Sequence, residues 1–343
     1  MLLGLSEPLP HLVNTKFNVA KAAQHLLFSS TELAVVRTTT DVPFQLRYCP
    51  ALAKKPTASE DDAPREKKDP FDNPSPDLWI ADIPAANPTH LLVLNKFPVI
   101  VNHFILATKE NKPQTHMLEE GDLDATYACL KAWEQEHSVQ KSQGLFAFFN
   151  SGEHSGASQP HRHLQFLPVE SMRNGEASAG WDPLIDIIAS SPDSSQTSSD
   201  SFWQHPKLPF AHFVSSIPPT PTTSQLFQTY KALYNAAATS VQDYKQAYPW
   251  IDLTLHATED GSLPISYNLA MTTTAMAILP RRNEGSMLRK DDGSEIGFVA
   301  LNGTALAGTL MVKYQEEWDM LKSRPEKLDQ VLEAIGLSHN PSI

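Results

Sequence analysis

The sequence is poor in cysteine, in positive charge and in long apolar runs, and each shortage removes a class of protein. Two cysteines among 343 residues are too few for a disulfide framework or a four-thiolate zinc site, so we expect a reduced intracellular compartment. Lysine and arginine number 27 against 39 acidic residues, which leaves no basic surplus for a nucleic acid partner. No apolar run reaches bilayer length, and the first residues lack the basic segment of a signal peptide. These shortages predict a soluble cytoplasmic chain with no membrane or nucleic acid partner, and they leave the nucleus open as an additional location.

Two stretches have too few apolar residues to contribute to a core. Residues 57–70 are charged and carry prolines, and residues 190–201 are a serine-rich low-complexity run. Because neither stretch can bury enough apolar surface to offset its ordering entropy, we predict two mobile loops. Elsewhere, apolar spacing predicts long helices over about 10–30, 114–136 and 225–248, separated by strand-like runs. This pattern by itself is compatible with either an α/β or an α+β fold.

The most informative stretch is residues 150–165, N-S-G-E-H-S-G-A-S-Q-P-H-R-H-L-Q, which follows an apolar strand-like run. On a strand, His161, His163 and Gln165 would share one face, with Arg162 and Leu164 on the other. The small residues before them offer amides and hydroxyls to an anion. An imidazole facing such a cradle suits nucleotidyl transfer through a histidine. A histidine pair can also be a packing feature or a metal pair, but no cysteine or carboxylate stands nearby at ligand spacing, so we predict no metal site.

The context S-G-x-S-Q-x-H-x-H-x-Q resembles the histidine-triad superfamily, in the branch where glutamine replaces the third histidine. Within it, the chain resembles the ATP adenylyltransferases, also called diadenosine tetraphosphate (Ap4A) phosphorylases. Further blocks carry the likeness along nearly the whole chain: D-P-F-D-N-P at 69–74, L-V-L-N-K-F at 92–97, F-A-H-F at 210–213, and Y-N-L at 267–269 with P-R at 280–281. The resemblance implies an α+β fold, with a histidine-triad-like antiparallel sheet flanked by helices and loop insertions. It also implies one catalytic domain over residues 1–343, in which 1–205 carry the motif and 206–343 complete the sheet and the nucleotide site.

The function that the resemblance implies is double displacement. His163 would attack the α-phosphorus of Ap4A and form an adenylyl-histidine while ATP leaves, and phosphate would then release ADP, reversibly. His161 would orient the nucleophile through a backbone bond, and Gln165 would hold the transferred phosphate without acting as an acid. The expected partners are Ap4A, ATP, ADP and phosphate. The chain would be a monomer without a covalently held cofactor, and a divalent cation such as Mg²⁺ can accompany the polyphosphate.

The resemblance also implies a set of substrate contacts. They come from a lysine of a Lys-Pro pair, from an Asn-Lys pair, from the motif itself and from a later pair of strands. Where the family usually has a tryptophan in that strand pair, this chain has Ala275 and Met276. An acidic residue, Asp82, stands where smaller relatives hold ribose hydroxyls, and we interpret His212 as structural. The expected binding residues are Lys55, Asn95, Lys96, Asn150, Gly156, Ala157, Ser158, Gln159, Asn268, Thr272, Thr273, Thr274 and Arg281.

Two alternatives stay open at this point. Hexose-1-phosphate uridylyltransferases share H-x-H-x-Q, but those relatives resemble zinc-containing proteins and this chain lacks the cysteines. A non-catalytic sensor that binds a dinucleotide as a signal would keep the binding residues, and turnover of any dinucleotide would exclude it.

Overall fold

The computed structural model describes residues 3–54, 68–134, 144–190 and 202–338. The predicted loop over 57–70 lies outside the described residues up to position 67, and the loop over 190–201 lies outside them from position 191. Lys55 also lies outside them.

The described residues form seven α-helices and thirteen strands. The helices are α1 (Leu9–Ala22), α2 (Glu120–Glu134), α3 (Val169–Met172), α4 (Leu184–Ala189), α5 (Thr223–Ala247), α6 (Gln315–Ser323) and α7 (Pro325–Ile335). The strands are β1 (Glu32–Arg37), β2 (Pro43–Tyr48), β3 (Trp79–Ile83), β4 (His90–Leu94), β5 (Phe104–Thr108), β6 (Leu145–Ser151), β7 (His163–Pro168), β8 (Phe213–Ser216), β9 (Ser266–Met271), β10 (Ala275–Arg281), β11 (Gly285–Arg289), β12 (Glu295–Ala300) and β13 (Thr309–Val312). None of these helices is long and apolar enough to span a bilayer.

One large sheet organises the fold. Its order is β3-β4-β5-β7-β6-β9-β10-β8, and every neighbouring pair in it is antiparallel. This confirms the α+β prediction. The β6–β9 pairing joins strands from before residue 205 to strands from after it. A smaller sheet has the order β1-β2-β13, in which β13 runs parallel to β2, and β11 and β12 form a separate hairpin.

The two faces of the large sheet are covered differently. On one face, α1, α2 and α5 pack over a core in which the rings of Phe104 and Phe166 stack 4.7 Å apart. On the other face, α4, α7 and the smaller sheet cover the β6, β9 and β10 side. The β4–β5 side of that face carries a small apolar cluster, which includes Phe71 and Ala107. Strand alternation therefore separates the face that α1, α2 and α5 cover, called here the helix-covered face, from the face that holds the histidine motif.

Two predicted helices are shorter than expected. The helix predicted over 10–30 ends at Ala22, because Gln24 adopts a positive φ of 60° and Leu27 then donates its amide to the carbonyl of Lys96. The helix predicted from 114 begins at Glu120, where Glu120 and Asp122 provide the negative charge that a helix N-terminus favours. Residues 114–119 take part in the functional site.

Candidate active site

The histidines of the motif share one face of the sheet. The ring of Phe71 lies 5.4 Å from that of His161 and 5.1 Å from that of His163. Gln165 belongs to the same face, where it bonds the ring of His103. The alternation predicted from the sequence is confirmed for these three side chains.

The side chains between them turn to the helix-covered face. Leu164 packs in the core beneath α2, and Arg162 donates to the carboxylates of Asp122 and Glu119, both at 2.9 Å. Asp122 also bonds His90 at 2.9 Å. This buried network ties the motif strand to the start of α2.

The ring of His163 is held in the form that a nucleophile requires. Its Nδ1 donates to the carbonyl oxygen of His161 at 2.8 Å, so the lone pair stays on Nε2. No hydrogen bond among the described residues uses that Nε2. Burial lowers the pKa of His163 to about 4, which keeps the imidazole neutral at pH 7. The backbone bond expected from His161 is present.

His161 is fixed from both sides. Its Nε2 donates to the carbonyl oxygen of Thr108 at 2.7 Å, and its Nδ1 lies 2.7 Å from the carboxylate of Asp69. Both ring nitrogens lie within hydrogen-bond distance of an oxygen, which fixes the orientation of the ring. Partial burial tends to raise the pKa of Asp69, but hydrogen bonds from the Phe71 amide and from His161 outweigh it, and the pKa is lowered. The sequence resemblance includes the D-P-F block that contains Asp69 and Phe71, but it assigns neither residue a role.

Gln114, which the sequence analysis placed in a helix, separates two strands at the site. The β6–β7 ladder ends at the pair Phe148–Gln165. Two residues further, where Asn150 and His163 would pair, the carboxamide of Gln114 lies between them. Its Oε1 accepts from the amide of His163 at 2.7 Å, and its Nε2 donates to the carbonyls of Asn150 at 2.8 Å and His163 at 3.1 Å. Each of these backbone groups keeps a partner while the strands part.

Gln165 is oriented by His103, a histidine outside the motif to which the sequence pattern assigned no role. The Nε2 of His103 donates to the Oε1 of Gln165 at 3.0 Å, and its Nδ1 lies 3.3 Å from the amide nitrogen of Asn95. Burial lowers the pKa of His103 to about 4, so this ring is neutral. Its hydrogen bonds to Asn95 and Gln165 fix the orientation of the Gln165 carboxamide. With its oxygen occupied, Gln165 presents the two hydrogens of its amide nitrogen. The predicted residue Asn95 is thereby placed two hydrogen bonds from the motif.

Asn150 offers a free donor at the site. Its Oδ1 accepts from the side chain of Asn268 and from the amide of Gly303, both at 2.9 Å. Its Nδ2 is buried and has no partner among the described residues. A buried donor without a partner costs about 1–3 kcal/mol, so a ligand oxygen is the natural acceptor.

The structure places Arg281 differently from the expected phosphate contact. The side chain is 2% exposed, and it bonds the Oδ1 of Asn268. Burial lowers its pKa to about 9. Asn268 is thus also a supporting residue, which holds Asn150. The other acceptors of the guanidinium are the carbonyls of Ile335, Asn283, Glu284 and Leu301.

The predicted threonines lie away from the histidine motif. Thr272, Thr273 and Thr274 form the turn between β9 and β10, and Thr273 bonds the carboxylate of Glu134 at the end of α2. Asn268 is opposite Asn150, so the turn begins four residues further along β9, about 13 Å away at the usual strand rise. The direction of β9 thus carries these threonines away from Asn150, so the structure does not bring them together with the other predicted contacts.

The segment before the histidines has the form of a small-residue loop. Gly156 has a φ of +77°, and a Cβ there would lie 2.8 Å from that of Asn302, so only glycine fits. Ala157, Ser158 and Gln159 follow it and border a cavity of about 490 Å³. Ser158 contributes a hydroxyl and Gln159 a carboxamide to this border, and the anion cradle itself stays a prediction.

The remaining candidates occupy distinct positions. Lys96 is exposed after β4, with its Nζ 5.7 Å from the ring of Phe97. Asp82 pairs with Lys109 on a strand near the sheet edge. The interpretation of His212 as structural agrees with its buried ring, which bonds the main chain of residues 205 and 210 through its two nitrogens. Within the described ranges, no three histidine, cysteine, aspartate or glutamate side chains form a metal-binding group.

Known proteins resemble this chain along nearly its whole length. The family model described as the Ap4A phosphorylase N-terminal domain matches residues 5–186, and that of the ATP adenylyltransferase C-terminal domain matches residues 206–338. Diadenosine 5',5'''-P1,P4-tetraphosphate phosphorylase 2 of Saccharomyces cerevisiae is 28% identical over 341 residues, covering 97% of this chain and 95% of its own. The crystal structure of yeast Ap4A phosphorylase Apa2 has a TM-score of 0.77 at 25% identity, covering 98% of this chain and 100% of that one. The structure of Apa2 in complex with Ap4A has a TM-score of 0.76 at 25% identity, over 99% and 100% of the two chains.

The first family model alone spans more than half of the chain, and the second follows it in order. The matched residues include the histidine motif, Gln114 and the Asp69 block in the first model, and Asn268 in the second. The chain therefore belongs to the Ap4A phosphorylase family of ATP adenylyltransferases.

Proposed function

We propose that the enzyme phosphorolyses diadenosine tetraphosphate to ATP and ADP, reversibly, through an adenylyl group on His163. The observation that carries this proposal is the hydrogen bond from Nδ1 of His163 to the carbonyl of His161 at 2.8 Å. It directs the unprotonated Nε2 away from the strand, on the face that also carries Gln165. A neutral, oriented imidazole whose Nε2 has no hydrogen-bond partner among the described residues suits attack on phosphorus.

In the first step, Nε2 of His163 forms a bond to the α-phosphorus, and the bond from that phosphorus to the bridging oxygen breaks. ATP leaves as an anion that needs little protonation. The imidazole becomes positively charged, and its Nδ1 hydrogen still donates to the carbonyl of His161. A pre-oriented carbonyl dipole stabilises that charge at no reorganisation cost.

In the second step, an oxygen of inorganic phosphate attacks the same phosphorus and the phosphorus–nitrogen bond breaks. ADP forms, and His163 returns to its neutral state. Gln165 cannot titrate, so it holds an oxygen of the transferred phosphate and does not generate a hydroxide from water. The adenylyl-histidine is therefore hydrolysed slowly and persists until phosphate attacks it.

The donors for the phosphate oxygens come from several elements. The amide nitrogens of Gln165 and Asn150 are available, as described above. The loop with Gly156, Ala157, Ser158 and Gln159 adds main-chain amides and the hydroxyl of Ser158, and Lys55 and Lys96 add positive charge. Any Mg²⁺ would accompany the polyphosphate, and the chemistry needs no covalently held cofactor. The proposal also includes a cytosolic location and no nucleic acid partner, on the charge and composition of the chain, and a monomeric state, on the resemblance to the family.

The test is incubation with Ap4A, with and without phosphate, and chromatography of the products. We expect ATP and ADP only when phosphate is present, and no turnover by His163→Ala. With adenine-labelled Ap4A and no phosphate, label should be trapped on His163. Rapid AMP release without phosphate, or label on His161, would refute the mechanism. Binding without turnover would favour the sensor alternative, and uridylyl transfer to a hexose phosphate the other alternative.

A further inference from the structure

Phe71 lies against both histidines of the motif, although neither step of the reaction described above uses it. Its ring centroid is 5.1 Å from that of His163, with an angle of 39° between the ring planes. It is 5.4 Å from the centroid of His161, in an edge-on arrangement at 89°. Away from the histidines, Phe71 belongs to the small apolar cluster with Leu91 and Val93 of β4. The aromatic ring is therefore a packed neighbour of the nucleophile.

Hydrogen bonds around Asp69 hold the main chain of Phe71 in place. The amide of Phe71 donates to Oδ1 of Asp69 at 2.9 Å, and Oδ2 of the same carboxylate lies 2.7 Å from Nδ1 of His161. The side chain of Asn111 donates to that Oδ2 at 3.1 Å. One carboxylate thus fixes both the ring of His161 and the segment that carries Phe71.

The reaction puts a positive charge on His163 that its surroundings do little to offset. When Nε2 bonds to the α-phosphorus, the electron pair of the broken phosphorus–oxygen bond leaves with ATP, and the imidazole keeps its Nδ1 hydrogen and one positive charge. That hydrogen donates to the carbonyl of His161, whereas the carboxylate of Asp69 pairs with His161 itself. Burial lowers the pKa of His163, so these surroundings disfavour a charged ring. A neighbour that attracts the cation would lower the barrier to adenylyl transfer.

We propose that Phe71 is a further catalytic residue, whose aromatic ring stabilises the positive charge of the adenylylated His163 by a cation–π interaction. The inference rests on the proposed function. An aromatic ring attracts a cation within about 6 Å of its centroid, and the attraction is stronger where water is excluded. The separation of 5.1 Å meets this distance, and exposures of 4% for Phe71 and 2% for His163 keep water from the contact.

This interaction discriminates between the states of the reaction. The imidazole is neutral while Ap4A binds, so Phe71 adds nothing to substrate affinity through charge. The attraction begins as the charge develops and is complete in the adenylyl intermediate. A group that acts in this way raises the rate constant of the chemical step and leaves the half-saturating substrate concentration unchanged.

The experiment changes the electrons of the ring and keeps its shape. Phe71 is replaced by mono-, di- and trifluorinated phenylalanine, because each fluorine withdraws electron density from the ring and weakens its attraction for a cation. Phe71→Leu removes the aromatic ring and keeps an apolar side chain. Val93→Ala is the matched control, because Val93 is an equally buried member of the same apolar cluster. Rapid-quench reactions with adenine-labelled Ap4A, without phosphate, give the adenylylation rate at saturation and the half-saturating concentration.

We expect the adenylylation rate at saturation to fall stepwise along the fluorinated series, by about twofold to thirtyfold in total, with an unchanged half-saturating concentration of Ap4A. Phe71→Leu should lose at least as much, and Val93→Ala should stay within about twofold of the parent. Thermal unfolding checks that all variants are folded, and the fluorinated proteins report on charge even where the leucine variant is unstable.

A rate that does not change along the fluorinated series, or an equal fall in Val93→Ala, would overturn the role of Phe71. Adenylylation of His163 in the parent would then still uphold the proposed function. A parent enzyme that forms no adenylyl group on His163 would overturn the proposed function itself.

Discussion

The side chain of Gln114 accepts a hydrogen bond from the main-chain amide of His163 at 2.7 Å, in the place where a neighbouring strand would otherwise pair. The same carboxamide donates to the carbonyl of Asn150. The two strands thus separate next to the nucleophile, and their polar groups keep partners. The gap created in this way lies between the motif and the cavity, since Gln114 contributes to both.

Gln114→Ala should lower kcat for the exchange of labelled phosphate into ADP, a reaction in which phosphate is the leaving group. The KM for ADP in this exchange should change little. The substitution leaves the amide of His163 without its acceptor, which costs about 1–3 kcal/mol of stability and loosens the nucleophile. Steady-state exchange kinetics and chemical unfolding measure the two effects. The control is Gln45→Ala, because Gln45 is an equally buried amide in β2 that bonds Arg47 and the carbonyl of Met172. A similar loss of stability without a loss of kcat is expected there, and an equal fall of kcat in both variants would remove the positioning role.

Asp69→Asn should slow adenylyl transfer by about tenfold to a hundredfold. The carboxylate of Asp69 holds Nδ1 of His161 at 2.7 Å, and a charge-assisted hydrogen bond is worth about 1.5–3 kcal/mol. Single-turnover formation of the adenylyl enzyme measures the step directly. Asp72→Asn is the control, since Asp72 is an exposed acid of the same block. If both variants react equally slowly, the general negative charge of the block would be responsible. His161→Ala should be milder than His163→Ala.

The adenylylation rate should stay flat as pH falls from 8 to about 5.5, and decline only towards about pH 4. Burial lowers the pKa of His163 to about 4, so its Nε2 remains unprotonated through the range where an exposed histidine, with a pKa of about 6.5, takes up a proton. Rapid-quench measurement across this range gives the profile. An acid limb centred near pH 6.5 would contradict the buried, neutral state.

The same shifts predict a loss of stability in acid. Between about pH 6.5 and 4 the unfolded chain binds protons at His163 and His103 that the folded chain does not bind, so the free energy of unfolding falls as pH falls through this window. Thermal unfolding measured at several pH values should show this. His103→Gln should have a shallower dependence, because one of the two titrating groups is absent from both states.

Lys55→Ala should weaken the binding of the polyphosphate by about tenfold to a hundredfold in kcat/KM, as expected for the loss of one charge-assisted contact. Lys54→Ala is the natural control and should have little effect. Steady-state phosphorolysis at low salt measures both. Equal effects would indicate a diffuse field of positive charge. Lys55 lies outside the described residues, so its contact stays a prediction from the resemblance.

The sequence by itself determined the features that depend on local pattern. Alternation along a strand was enough to put His161, His163 and Gln165 on one face and Arg162 on the other, and contacts confirm it. The family blocks were enough for the α+β fold and the chemistry. The motif also contains Gly156. The need for glycine there, its close approach to Asn302, is visible only in the folded chain.

Only the tertiary structure decided which side chains support the motif. Asp69 is 92 residues from His161 and His103 is 62 residues from Gln165, so no local periodicity connects them. The same limit explains the corrections. Thr272 to Thr274 and Arg281 belong to a block of sequence that resembles the family, but the direction of β9 carries the threonines away from the motif, and Arg281 is buried among main-chain carbonyls. A strand's sequence specifies which of its residues share a face, whereas the segments that cross that face are chosen by the packing of the whole chain.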